Sequence, residues 1–535
     1  VSGIGGIGKT TIVRTYVERH WAGYYHLAWL TVTSPQSIGN DPVARLAEAG
    51  YSPLRDAFLR DRTLWTNLGI GAAVEQHIAA KDLAAAFALI FQRLGQLENC
   101  LLVVDNANDV ADLLDNRPAL KTLTAQVLVT SRAKPKGWDT VPVDELPLPL
   151  AVKLFRQHYS HPSLAQAADA DLNALSETLL RHTLLLELVG KSASPEGANL
   201  SFPRLLESLR DRSFHHRYLN ELPVDAGDHA DGQNLRRQAS VEAYIALIFS
   251  HIRREDPDRI ALLKAMTLVP PAQAYDNDFL TKLCDLLDFG YQQKRAELLV
   301  QLGWLQREPL AEEGVGYSIH PLILDVAFRE LGVTAVWADA FIRLVTDWIS
   351  YNEQDPQDKL SERRPSQPFG EHLGNLFAEA ETEAVAYLLD RWATLEKTYG
   401  FYQKALRPGQ RALAIAEKHL STDIIAGCQA NLANIYTDLG DFARARDLLE
   451  AALASDLKNS GPEHPNVAVT QSNLAITEKK IGNYARSRDL LEAALASDLK
   501  NFGPDHPTVA TNQCILANLH SELGDYARAR DLLET

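Results

Sequence analysis

The sequence predicts an α/β domain followed by helical domains that end in an α-solenoid, and three observations carry this expectation. Gly3-Ile4-Gly5-Gly6-Ile7-Gly8-Lys9-Thr10 spells glycine, four residues, then Gly-Lys-Thr. The apolar run Cys100-Leu101-Leu102-Val103-Val104 ends in Asp105-Asn106, as a buried parallel strand with an acidic carboxyl end would. The segment Leu448 to Asn459 reappears unchanged as Leu490 to Asn501. A repeat of that kind predicts stacked helices.

The first motif is a phosphate-binding loop pattern. Its glycines Gly3, Gly5, Gly6 and Gly8 let backbone N–H groups curl round phosphates, Lys9 brings a point charge, and the Thr10 hydroxyl reaches a magnesium ion. Thr11 joins the candidate binding set at the start of a helix whose dipole favours an anion. The implied cofactors are ADP or ATP with Mg2+. A strand of about five residues normally precedes such a loop. Only Val1 and Ser2 stand before Gly3, so the first strand is expected to be missing and the chain to be a fragment, as Asp531-Leu532-Leu533-Glu534-Thr535 also implies by stopping inside a repeat.

Length and composition fit a soluble multidomain protein, since 535 residues at 46% hydrophobic content can bury three or four cores. Cys100, Cys284, Cys428 and Cys514 are scattered without a Cys-x-x-Cys pair, which speaks against a disulfide framework or zinc site and for a reducing cytoplasm. No apolar run reaches the ~18 residues of a membrane span; the best candidate, Thr183 to Gly190, carries Glu187. A net charge of −16 argues against a polyanionic partner.

Along the chain, Tyr25 to Val32 reads as a strand, Leu83 to Leu97 as a helix, and Gln126 to Arg132 as a further strand. Asp105 at the end of the second strand is the candidate magnesium and catalytic carboxylate, paired with Thr10. Arg132, whose planar fork suits phosphate oxygens, is the candidate sensor of the terminal phosphate. Asn106 stands where a second acid would polarise water, so slow ATP hydrolysis is expected, with Asp109 the alternative base. Asp225 to Gln238 is polar and reads as a mobile linker.

The order of these pieces resembles the NB-ARC class of STAND signal-transduction P-loop NTPases, over residues 1–330. The resemblance implies an NTPase domain at 1–146, a helical subdomain and linker at 147–235, a winged-helix subdomain at 236–330 and a helical connector at 331–380. In the family a Gly-Leu-Pro-Leu segment lies near the nucleotide; here Thr183 replaces its proline in Thr183-Leu184-Leu185-Leu186. Helices near Val241–His251 and Ile260–Met266, and a hairpin pairing Trp304–Arg307 with Val315–Ile319, match the winged helix. Ile319-His320-Pro321 matches the family's Met-His-Asp motif at His320 only, which the resemblance places near the ADP β-phosphate of a closed resting state.

Residues 381–535 resemble tetratricopeptide repeats of the long kinesin-light-chain kind. Gly440, Gly482 and Gly524 recur in register, followed by Phe442, Tyr484 and Tyr526, and Gly461-Pro462-Glu463-His464-Pro465 and Gly503-Pro504-Asp505-His506-Pro507 separate successive repeats. The resemblance implies a nucleotide-dependent switch that senses a protein or peptide ligand on its repeats, self-associates when activated, and carries its effector upstream. Two alternatives stand beside it. One is a repeat scaffold with a vestigial nucleotide fold. The other is a DNA-binding regulator, against which residues 240–330 count nine Lys/Arg and fourteen Asp/Glu.

Overall fold

The computed structural model describes residues 1–32, 52–132, 137–210, 230–252, 257–271, 273–310, 314–351 and 363–534. The chain divides into two compact units, one of Val1–Ala47 with Ser52–Val333 and one that takes in Thr334–Thr535.

The first unit opens with α1 (Lys9–His20), β1 (His26–Thr31), α2 (Pro53–Arg60), α3 (Arg62–Asn67), α4 (Gly71–Ala79) and α5 (Leu83–Gly95). Then come β2 (Cys100–Asp105), α6 (Val110–Lys121) and β3 (Gln126–Val129). The three strands pair in parallel in the order β1-β2-β3, with Val104 opposite Leu30 and Val129. Every residue of β2 is buried, which is why it reads as an unbroken apolar run rather than an alternating one. Val13 of α1 packs on Leu101 and Val103, so the loop ahead of α1 is anchored to the central strand.

The strand position expected ahead of the glycine loop is held by the first residues of the chain. Ser2 bridges Ser131 on one side and Pro142 on the other, both in parallel. The Gly3 amide donates to Ser131 O at 3.2 Å and the Val143 amide to Ser2 O at 2.7 Å. Residues 1–3 thus extend the sheet beyond β3, and the glycine loop leaves from its carboxyl edge.

A helical segment follows: α7 (Leu148–His158), α8 (Asp169–Thr178), α9 (Thr183–Ala193) and α10 (Phe202–Arg210). Next are α11 (Ala230–Ile252), α12 (Pro257–Met266), α13 (Asn277–Leu286) and α14 (Gln293–Gln301), the antiparallel pair β4 (Gln306–Leu310) and β5 (Gly314–Ser318), and α15 (Pro321–Glu330). Two expectations are corrected here. Residues Ala230 to Gln238 of the expected linker form the first turns of α11, because polarity without proline or a glycine pair does not stop a helix; residues 225–229 lie outside the described residues. The hairpin is displaced towards its loop, since Trp304 and Leu305 are still tied by their amides to Leu299 O of α14 and pairing begins at Gln306. Tyr275 adds a bridge to Tyr317 on the other side of β5.

The second unit is helical: α16 (Asp339–Ile349), α17 (Gln367–Leu376), α18 (Glu383–Thr398), α19 (Tyr402–His419), α20 (Thr422–Leu439), α21 (Phe442–Ser460), α22 (Pro465–Ile481), α23 (Tyr484–Phe502), α24 (Pro507–Glu522) and α25 (Tyr526–Glu534). From α18 onward each helix packs on the next, and the small residues Ala393 and Ala405 let α18 and α19 approach around Ile435. Gly440 and Gly482 end α20 and α22 with φ of 84° and 93°, a left-handed cap that side-chain-bearing residues rarely adopt. The buried ties repeat as well: Thr470 donates to Asp456 at 2.8 Å, and Asn512, one repeat later, donates to Asp498 at 2.7 Å.

Candidate functional site

The glycine loop bends because Gly6 adopts φ 72° and Gly8, the N-cap of α1, adopts φ 104°. α1 carries no acidic residue in its first turn and no side-chain cap, so nothing on the helix itself neutralises the positive end of its dipole. Lys9 folds over the loop, its Nζ donating to Gly3 O and Ile4 O at 2.8 Å each. Burial, then the nearby Arg132 charge, lowers its pKa to about 8. Thr11 is exposed on the first turn of α1.

The Thr10 hydroxyl donates to both carboxylate oxygens of Asp105, at 3.0 and 3.2 Å. Asp105 is 8% exposed and also accepts from the Thr130 hydroxyl. One carboxylate and one hydroxyl beside the glycine loop would suit Mg2+ if it arrived with a phosphate ligand. Among the described residues no group of three His, Cys, Asp or Glu could hold a metal alone.

Asn106 and Asp109 are engaged elsewhere. Asn106 takes a left-handed φ of 65°, donates from Nδ2 to Val32 O at 3.0 Å, and accepts from Asn108 at 2.7 Å. Asp109 caps α6, its carboxylate accepting from the amides of Ala111 and Asp112 at 3.0 and 3.1 Å. The amide of Arg132 donates to Asn108 Oδ1 at 2.8 Å, which fixes the turn after β3. The Arg132 guanidinium lies over the loop, 3.7 Å from where a β-carbon on Gly5 would stand.

Two further segments reach the same loop. His182, 0% exposed, contacts Gly5 O through Nε2 at 2.8 Å; a carbonyl only accepts, so Nε2 carries the proton. Burial lowers its pKa to about 4, leaving a neutral ring. Thr183 donates from Oγ1 to Gly6 O at 2.8 Å, so its hydroxyl is committed to the loop backbone. His320 is half-buried at the start of α15, where Nδ1 accepts the Leu322 amide at 3.1 Å. Burial, then the charges of Arg132, His182 and Lys9, lowers its pKa to about 4.

The structure therefore gathers Gly3, Gly5, Gly6, Gly8, Lys9, Thr10, Asp105, Arg132 and Thr183 around one loop, with Thr11 at its outer edge and His320 within electrostatic reach of Lys9 and Arg132. Sequence reasoning missed His182 and Asn108, and it read the hydroxyls at the end of the strand from Gln126 to Arg132 as facing a phosphate, where Thr130 binds Asp105 and the Asn106 amide. A histidine beside the expected Thr183 was the visible signal for the first; Asn108 acts through turn geometry that spacing does not encode.

Comparison with known proteins agrees with the repeat unit. The tetratricopeptide repeat family model matches residues 425–500 and 478–535. The C-terminal repeats are tetratricopeptide repeats. No curated protein matches the chain. Similar solved structures include nearly identical TPR-like repeats of a putative kinesin light chain from Podosopora anserina, at 22% identity over 37% of this chain and 91% of that one, TM-score 0.31. BtubC from P. vanneervenii is 19% identical over 37% of this chain and 79% of its own, TM-score 0.31. A STAND signal-transduction ATPase with a tetratricopeptide repeat sensor from Pyrococcus horikoshii is 13% identical over 100% of this chain and 91% of its own, TM-score 0.37. Among the described residues no helix is long and apolar enough to cross a membrane.

Proposed function

We propose that this chain is a nucleotide-dependent switch of the STAND class: residues 1–146 form a P-loop NTPase domain, residues 236–330 a winged-helix subdomain, and ADP or ATP with Mg2+ binds between them. The reading rests on one observation. His320, from the segment after the β4–β5 hairpin, lies within the electrostatic reach of Lys9, Arg132 and His182 at the glycine loop. A nucleotide held there contacts both segments at once. It therefore favours the arrangement that keeps them together, which is the requirement for a ligand to act on a conformational equilibrium.

In this scheme Lys9 and the loop amides bind the phosphates, Thr10 and Asp105 hold Mg2+, Arg132 reads the terminal phosphate, and His320 favours the closed, ADP-bound form. The tetratricopeptide repeats receive a protein or peptide ligand that favours an open, self-associating form. Leu448–Asn459 and Leu490–Asn501 are identical, whereas the equivalent positions Lys479 and Ser521, and Lys480 and Glu522, differ, and Lys479 pairs with Glu522 of the next repeat at 2.8 Å. The test is to purify the whole chain, denature it, and chromatograph the released material. Stoichiometric ADP from the native chain and none from Lys9→Ala supports the reading; absence of nucleotide from the native chain, together with no binding of added Mg-ADP, overturns it.

A further inference from the structure

The loop amides that face a phosphate belong to peptide planes whose carbonyls face the other way, because each trans peptide holds its C=O and N–H antiparallel. Gly5 O shares a plane with the Gly6 amide, and Gly6 O with the Ile7 amide. Both carbonyls are bound by consecutive residues of another element: His182 Nε2–H to Gly5 O and Thr183 Oγ1–H to Gly6 O, each at 2.8 Å. Glycine peptides rotate more freely than any others, so two donors that hold two successive planes remove the freedom that binding would otherwise have to quench.

We infer that His182 and Thr183 are positioning residues that hold the Gly6 and Ile7 amides in their phosphate-facing orientation and link phosphate affinity to the docking of α9. This rests on the nucleotide reading above. The surroundings point the same way. His182 Nδ1 is buried without a hydrogen-bond partner, so a ring kept only for packing would leave one polar atom unmatched where a leucine would leave none. The ring's contribution is the Nε2–H. Its approach is set by Leu180 and Arg181, consecutive non-glycine residues at φ 55° and 50°, and by the Leu146 amide donating to Arg181 O at 3.1 Å. Contact is close enough that a β-carbon on Gly6 would stand 3.0 Å from His182 Cε1 and 2.9 Å from Leu184 Cδ2. Because binding and docking share these bonds, each strengthens the other by the same factor.

The experiment uses the full chain, with ADP and AMP as probes in calorimetry; AMP lacks the β-phosphate. His182→Leu and Thr183→Val are each expected to weaken ADP by about fivefold or more, the equivalent of one hydrogen bond, while AMP changes less than about twofold. His182→Gln and Thr183→Ser, which keep a donor, are expected to restore most of the loss. ADP should also slow amide exchange in residues 183–193 of the native chain and not in His182→Leu. Equal losses for ADP and AMP, or unchanged ADP affinity in Thr183→Val, would overturn the inference, and Thr183→Val decides should His182→Leu fail to fold. A native chain that binds ADP normally while these variants do the same sinks this inference alone; a native chain that binds neither probe sinks the nucleotide reading beneath it.

Discussion

Thr10 and Asp105 stand ninety-five positions apart and meet at 3.0 Å, at the point where the first turn of α1 faces the carboxyl end of β2. Their meeting follows from the parallel sheet, which puts every strand's carboxyl end at one edge. Thr130 closes the group from β3's side, donating to Asp105 and accepting the Asn106 amide at 2.9 Å. The carboxylate is thus held by two hydroxyls. Neither sequence-adjacent candidate is in a position to take a proton from water, since Asn106 is tied to Val32 and Asp109 caps α6.

Hydrolysis is accordingly expected to be slow. A general base contributes typically 10²–10⁴-fold to a rate, and an amide cannot serve as one. Single-turnover ATP hydrolysis by the full chain should run below about one per minute, and Asn106→Asp should raise it if the new carboxylate reaches water. Native turnover of many per second would contradict the assignment of this edge.

Lys9→Ala should weaken ADP by about 10- to 150-fold, the value of a charge-assisted bond of roughly 1.5–3 kcal/mol. The pH dependence has a definite sign. Lys9 is lowered to about 8 by burial and Arg132, and phosphate binds only its protonated form. Affinity should be flat below that value and fall as pH rises through it, with the fall absent in Lys9→Ala. Calorimetric titrations between pH 6.5 and 9.5 check both.

Much of this was legible in the sequence because it rests on local chemistry. The glycine loop, the apolar β2 and the glycine-capped repeats each need particular residue types at fixed spacing. The linker expectation failed at Ala230 to Gln238 because a polar segment continuous with a buried one, such as Val241 to Phe249, is drawn into its helix by tertiary packing. His182 stood in view beside Thr183, but its role was not legible, for a different reason. Its role depends on a carbonyl 177 positions away, and a histidine beside an apolar run reads equally as a core residue.

Asp325, on α15, should be a destabilising residue at neutral pH. Its Oδ1 is buried without a hydrogen-bond partner, and burial together with Glu242 on α11 raises its pKa from 3.8 to about 7, against the opposing pull of Arg132 and Arg329. Between those values the folded chain holds the proton and the unfolded chain does not, so stability falls as pH rises through the window. Asp325→Asn removes that loss. Its Tm advantage in the first unit should grow from pH 4 to pH 7 and level off above; an advantage that shrinks with rising pH would show the carboxylate to be stabilising.

His320 has two separable roles, and the local pattern explains why. The chain holds four His-Pro pairs, and each histidine caps the turn that its proline begins: His161 accepts the Ser163 amide at 3.1 Å, His320 the Leu322 amide at 3.1 Å, His464 the Asn466 amide at 3.2 Å and His506 the Thr508 amide at 3.3 Å. Proline at the first helical position lacks an amide to satisfy, so the ring nitrogen serves the next one. His320 in addition lies within electrostatic reach of the Lys9 and Arg132 charges. Because Nδ1 accepts, the proton sits on Nε2, the nitrogen left to donate to a phosphate. Asn keeps a cap and loses that donor; Val loses both. His320→Val should therefore lower the Tm of the first unit by an amount equivalent to ~0.5–2 kcal/mol, and His320→Asn by much less. Both should speed ADP release by about 5- to 150-fold, the value of 1–3 kcal/mol of closed-state preference. Stopped-flow release of a fluorescent ADP analogue, read beside thermal unfolding, separates the two roles. Faster release in both variants with a Tm loss in Val alone supports the closed-state contact, whereas unchanged release in both leaves His320 a helix cap like the other three.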